Sequence, residues 1–193
     1  NGITIKANDF VLTGETYTLN GVDYTIVNDN LLKRMINDGE DLTKVVTTKV
    51  TDMQRLFLEN TSFNQDIGSW DTSNVTNMTS MFESATIFDQ DIGNWDVSKV
   101  TKFDRMFLRA HAFNQDIGNW DTTNVIDIGW MFYEATSFNQ DVGSWDISSV
   151  EDIELMFYGT SSFNQDIGNW DISNATNLNS CLLYTSDAAD ETC

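Results

Sequence analysis

FNQDIGSWDTSNVTNMTSMFESAT, residues 63–86, decides the fold, because the chain repeats it every 25 residues as far as about Ser180. Phe63, Phe88, Phe113, Phe138 and Phe163 form one column, and Phe57, Phe82, Phe107, Phe132 and Phe157 form another. Ten of the twelve phenylalanines therefore lie in two columns. Trp70, Trp95, Trp120, Trp145 and Trp170 make a third column, Ile67, Ile92, Ile117, Val142 and Ile167 a fourth, and Val75, Val100, Val125 and Val150 a fifth. A further column, Met53, Met78, Phe103, Ile128, Ile153 and Leu178, exchanges one apolar type for another, as core positions do. A single unit cannot bury its own Phe, Trp and Met. Stacking the units in register lays each column on its copy in the next turn of chain.

These columns predict a repeat solenoid of the leucine-rich-repeat kind, with one short strand and one short helical turn per coil. Asp66-Ile67-Gly68-Ser69-Trp70 and its copies are the strand candidates, irregular or bulged because Ile67 and Trp70 stand at i and i+3. The stretch around Met78-Thr79-Ser80-Met81-Phe82, apolar at i, i+3 and i+4, is the helical turn. Gly68, Gly93, Gly118, Gly143 and Gly168 are expected to mark a kink or a positive φ. Asp71, Ser73 and Asn74 are turn and cap residues between the two elements.

Upstream of the regular units the organisation changes. Tyr17 to Thr25 alternates around Asn20-Gly21, a hairpin signal. Residues 30–38 read as a short amphipathic helix with Leu31, Leu32, Met35 and Ile36 on one side and Gly39 closing it. A degenerate first coil begins near residue 40, where Leu42, Val45, Val50, Met53, Leu56 and Phe57 keep the phase. Residues 1–49 are thus expected to be a small α+β N-terminal cap, which an open-ended stack needs, and 50–180 the solenoid.

At the other end the phase breaks. It demands Met-Phe at 181–182 and Phe at 188, and the chain supplies Cys181, Leu182 and Ala188. The segment CLLYTSDAADE resembles the translation, in one reading frame, of a transposase-type sequencing adaptor. Residues 181–193 are therefore set apart as a non-native tail. With it go Asp187, Asp190 and Glu191, which leaves 27 acids against 10 bases, a net charge of −17 in place of −20.

That surface repels nucleic acid and anionic membrane, both of which call for clustered Lys and Arg. No apolar run approaches the ~18 residues of a membrane span. No signal peptide opens the chain, which begins at Asn1 and reads as a monomeric fragment of a larger protein. Both cysteines, Cys181 and Cys193, lie in the tail, so the body holds neither a disulfide scaffold nor a zinc ribbon. Proline is absent, which suits regular turns of Gly, Asn, Asp and Ser.

The units at 63–86 and at 138–161 (FNQDVGSWDISSVEDIELMFYGTS) resemble the 25–26-residue repeat of bacterial surface proteins, grouped with BspA-type leucine-rich-repeat proteins. The lead-in from Asp41 to Met53 resembles the stretch that precedes such arrays. The resemblance covers roughly residues 40–180. It implies a secreted or surface-anchored protein whose usual assignment is adhesion or protein binding, and it offers no catalytic residue to carry over.

Two sets of residues are candidates for chemistry. The first is a double rail of carboxylates: Asp66, Asp91, Asp116, Asp141 and Asp166, and Asp71, Asp96, Asp121, Asp146 and Asp171. Like charges stacked ~4.8 Å apart repel unless compensated. Calcium between turns is one remedy, with the first rail as its ligands, and no other cofactor is expected. The competing reading has each Asp accepting nearby backbone N–H groups in an Asx-turn. The Asn64-Gln65 pair and its copies, with Asp89 standing for Asn in one, read as amide ladders.

The second set breaks the period. One variable column runs Arg55, Ser80, Arg105, Trp130, Leu155, and another Leu58, Glu83, Leu108, Tyr133, Tyr158. Trp130, Tyr133, Leu155 and Tyr158 are expected to form an apolar, aromatic patch that anchors a partner, against the alternative that they only cover one side of the stack. His111, the single histidine, sits in a variable loop, and no phosphate loop, dinucleotide fingerprint or zinc cluster is present. The expected function is therefore a non-enzymatic extracellular or cell-surface scaffold that binds a protein or glycan on another cell or matrix. The alternative is a spacer or stalk that presents another domain.

Overall fold

A computed structural model describes residues 4–8 and 10–179. The segment 181–193, set apart on its sequence, lies outside the described residues. Strand β1 (Thr16–Leu19) pairs antiparallel with β2 (Val22–Asn28) across Asn20-Gly21, where both residues have positive φ, 52° and 79°. Helix α1 (Asp29–Asn37) follows directly, its first turn capped by the Asn28 side chain accepting the Leu31 N–H. It buries Leu32 and Met35, and ends before Gly39, whose φ is +71°. A 3-10 turn over Leu42–Lys44 leads into β3 (Val45–Lys49), which pairs parallel with β2 to complete a sheet ordered β1-β2-β3.

From Val50 onward the 25-residue units follow as coils, each hydrogen-bonded to the next. Single parallel bridges link Asp52, Asn77, Lys102, Asp127, Asp152 and Asn177 in succession. Beside this seam, alternate N–H groups cross between coils: Met78 to the Lys102 carbonyl, Ser80 to Asp104, Phe82 to Met106 and Ser84 to Leu108, at 2.7–3.1 Å. The residues between them bond backwards within their own coil, Met81 to Met78, Glu83 to Ser80 and Ala85 to Phe82.

This pattern corrects the helical turn expected around residues 78–82. A helix keeps every φ negative and every bond along one axis. Here Ser80 and Ser84 have φ of 54° and 58°, so the segment is a run of β-turns with a left-handed residue at each second corner. The same conformation recurs at Arg55 and Glu59, Arg105 and Arg109, Trp130 and Glu134, and Leu155 and Gly159. Nine of these ten residues carry a Cβ, each at a cost of order 1–3 kcal/mol. The crossing hydrogen bonds, about 0.5–1.5 kcal/mol each, and the packing beneath them offset that strain.

The strand candidates at 66–70 and their copies are corrected too, for the backbone there is a turn. The Asp66 carboxylate accepts the Gly68 N–H at 3.0 Å and turns the chain more sharply than a bulged strand would. Nor do the five glycines of that column have positive φ. Four of them lie under the next coil: a Cβ on Gly68, Gly93, Gly118 or Gly143 would stand 2.5–2.6 Å from a carbonyl oxygen of Asp91, Asp116, Asp141 or Asp166. Close approach, not backbone conformation, demands glycine here.

The core is the columns themselves. Phe57, Phe82, Phe107, Phe132 and Phe157 stack with centroids 5.4–5.7 Å apart and rings nearly parallel. The Phe63 column does the same at 5.8–6.1 Å. The two interlock within each coil, for example Phe82 on Phe88 at 3.9 Å. Offset pairs of this kind add roughly 0.5–1.5 kcal/mol beyond area burial. Each indole of the Trp70 column also donates its Nε1–H to a carbonyl of the preceding coil, Trp70 to Leu42, Trp95 to Ile67, Trp120 to Ile92, Trp145 to Ile117 and Trp170 to Val142, at 3.1–3.3 Å. That bond explains why the column is Trp and never Phe.

Candidate interaction faces

Both carboxylate rails are engaged locally. Asp66, Asp91, Asp116, Asp141 and Asp166 each accept the N–H of the glycine two residues on, at 2.9–3.0 Å. On the second rail Asp71, Asp96, Asp121 and Asp146 each accept both the N–H and the hydroxyl of the Ser or Thr two residues on. The Ser148 hydroxyl and N–H hold the Asp146 carboxyl below the usual carboxylate range. Among the described residues no three His, Cys, Asp or Glu side chains converge as they would around a metal ion. On the first rail, which the sequence offered as calcium ligands, these hydrogen bonds use one oxygen of each carboxylate.

The amide ladder is axial as well. Asn64 Oδ1 accepts the Asp89 N–H and the Gln90 side-chain amide, and Asp89, Asn114 and Asn139 repeat the arrangement on the following coils. Asp89 fits an asparagine column because the column uses that side chain only as an acceptor.

The irregular residues assemble on one side. Trp130 lies against Tyr133 with centroids 4.9 Å apart, and Tyr133 stacks on Tyr158 of the next coil at 5.0 Å. Trp130, Tyr133 and Leu155 are half-buried, and Tyr158 is exposed. Leu155 occupies the left-handed corner one coil beyond Trp130, with φ 51° against 59°. The rings of Trp130, Tyr133 and Tyr158 are thus brought together, with Leu155 beside them in register.

Two arginines complete this face, and sequence spacing alone did not assign them to it. The Arg105 guanidinium stands 5.8 Å from the Trp130 ring centre and that of Arg109 6.0 Å from Tyr133. Arg109 also pairs with Glu134 at 2.8 Å. The available signal was the 25-residue offset, which sets Arg105 and Trp130 in one column. His111 Nδ1 lies 2.9 Å from the Glu134 carbonyl oxygen.

Next to the bridge seam, Asp104 is partly buried and salt-bridged to Arg105 at 3.4 Å. Burial pushes its carboxyl up to about 6, with Asp127, Asp152 and Glu83 adding to the rise and Arg105 opposing it. Burial likewise raises Asp127.

These features define a tandem-repeat protein of stacked, turn-rich coils, with an acidic surface and one aromatic, arginine-flanked face. The chain belongs to the family described as "Mycoplasma protein of unknown function, DUF285", whose model matches residues 29–129 and 105–191. The second span runs past Ser180 into the segment that the sequence sets apart. No curated protein and no solved structure matches the chain.

Proposed function

We propose that the chain is a non-enzymatic recognition scaffold of the BspA-type, leucine-rich-repeat-like surface-protein kind. Its coils form a solenoid that acts outside the cell, and its partner is a protein or glycan of another cell or matrix. The observation that carries the reading is the stack Trp130–Tyr133–Tyr158 with Arg105 and Arg109 over its rings. A surface that repeats in every coil reads only a periodic partner, whereas this face occurs once among the described residues. Aromatic and arginine side chains grouped in this way are the usual anchors of interfaces.

The column regularity also supports the second reading, a spacer that presents another domain. A panel of matrix proteins and a glycan array, probed with the wild-type chain and with Trp130→Ala/Tyr133→Ala, separate the two. Recognition predicts at least a tenfold loss of binding on some member of the panel with the coil fold intact by circular dichroism. Unchanged binding by the double variant would remove the face from the account.

A further inference from the structure

Residues 5–7 lie across the second carboxylate rail at Asp71. The Ile5 N–H donates to the Ser69 carbonyl at 3.3 Å, and the Ala7 N–H donates to the Thr48 hydroxyl at 3.0 Å. Between them the Lys6 ammonium sits 3.4 Å from Asp71 Oδ1 and 3.4 Å from the Ser73 hydroxyl. The strap thus passes from the coil of Ser69, at Ile5, to the preceding turn of chain at Thr48, at Ala7.

Beneath this strap Asp71 is only 2% exposed, and its second oxygen is buried with no hydrogen-bond partner among the described residues. Burial pushes that carboxyl up, but hydrogen bonds, led by the Ser73 hydroxyl, together with the Lys6 charge hold it below its usual value.

Each anchor the strap uses recurs in the coils it does not reach. The carbonyls are those of Asn94, Asn119 and Ser144, the carboxylates Asp96, Asp121 and Asp146, and the hydroxyls Ser98, Thr123 and Ser148. Asp96, Asp121 and Asp146 are exposed where Asp71 is covered. Among the described residues no backbone N–H donates to the Asn119 or Ser144 carbonyl. Lys99 brings a positive charge beside the Asp96 coil, where it donates to Asn74 at 2.8 Å, so the rail is least compensated at Asp121 and Asp146.

We propose that this rail is a docking groove for an extended, lysine-bearing peptide, laid along the coils as residues 5–7 are laid over Asp71. Side chains two apart on an extended chain share one face, so a lysine at every second residue presents one ammonium to each coil. The surface charge of −20 attracts any polycation, so the proposal stands or falls on register.

The test is fluorescence anisotropy with two labelled peptides of equal composition, one alternating Thr and Lys over seven residues and one with its three lysines in a block. The alternating peptide is expected to bind at least fivefold more tightly at equal salt. Asp121→Asn/Asp146→Asn keeps the oxygens that accept from Thr123 and Ser148 and should abolish the difference. Asp116→Asn/Asp141→Asn removes the same charge from the other rail and should leave the difference intact. Equal affinity for the two peptides, or equal losses from the two double variants, overturns the proposal in favour of net charge alone. Concentration-dependent self-association that the alternating peptide dissolves overturns it in favour of a second copy's strap. Neither Trp130 nor Tyr133 is involved, so the result is independent of the aromatic face.

Discussion

The N-terminal unit and the coils that follow it are built on opposite plans. Among the described residues, 16–49 hold every helix and strand of more than one bridge, yet all four residues of β1 are exposed. Among the described residues the coils have only isolated bridges, yet they contain all the fully buried aromatic side chains. Regular secondary structure is thus not what makes the body cohere. Its order comes from identical side chains meeting one coil apart, with backbone bonds running along the stack.

The largest expected effect separates the two regions directly. Phe107→Ala removes a ring that stacks on Phe82, Phe113 and Phe132, and should destabilise the fold by about 3–5 kcal/mol in urea denaturation. Leu19→Ala, on exposed β1, should change stability by less than ~0.5 kcal/mol. Comparable losses from both would break the distinction.

A smaller effect sharpens it within the body. Gly143→Ala drives a Cβ toward the Asp166 carbonyl at 2.5 Å and should cost about 1–3 kcal/mol, because backbone of the next coil must move. At Gly168, among the described residues, a Cβ meets the Asp166 side chain at 3.2 Å, and the same change should cost less by thermal melting.

The smallest concerns pH. Asp104 binds its proton more tightly folded, near pH 6, than unfolded, near ~3.9. The native state therefore loses stability as pH rises between those values, and the whole penalty is present above them. Asp104→Asn should be more stable than the wild type at pH 7–8, by about 1–2 kcal/mol, and the gain should vanish by about pH 4. A gain that persists at pH 4 would point to packing and not charge.

The sequence made the columns legible because burial acts on side-chain type, and a period of 25 is visible in Phe, Trp and Ile alone. The local backbone was less legible. Apolar residues at Met78, Met81 and Phe82 satisfy a helix pattern, and a run of turns produces the same spacing. Only φ distinguishes the two, and serine at 80 and 84 carries no sign of a left-handed corner. Ile67 and Trp70 suggested a strand because the Asx-turn between Asp66 and Gly68 is made by a side chain that equally suits a loop. The aromatic face was half legible: the departures from the period marked Trp130 and Tyr133, while the placement of Arg105 and Arg109 over their rings needed three dimensions. The strap at 5–7 was not legible, since its partners lie 41 to 67 residues away.

Native-state hydrogen exchange tests the central claim most directly, that bonds between coils bind the body into one cooperative unit. The amides of Phe82, Phe107 and Phe132, which donate to Met106, Met131 and Met156, should exchange together with the free energy of global unfolding, and those of β1 orders of magnitude faster. Body amides that exchange as fast as those of β1, or independently from coil to coil, would contradict the account.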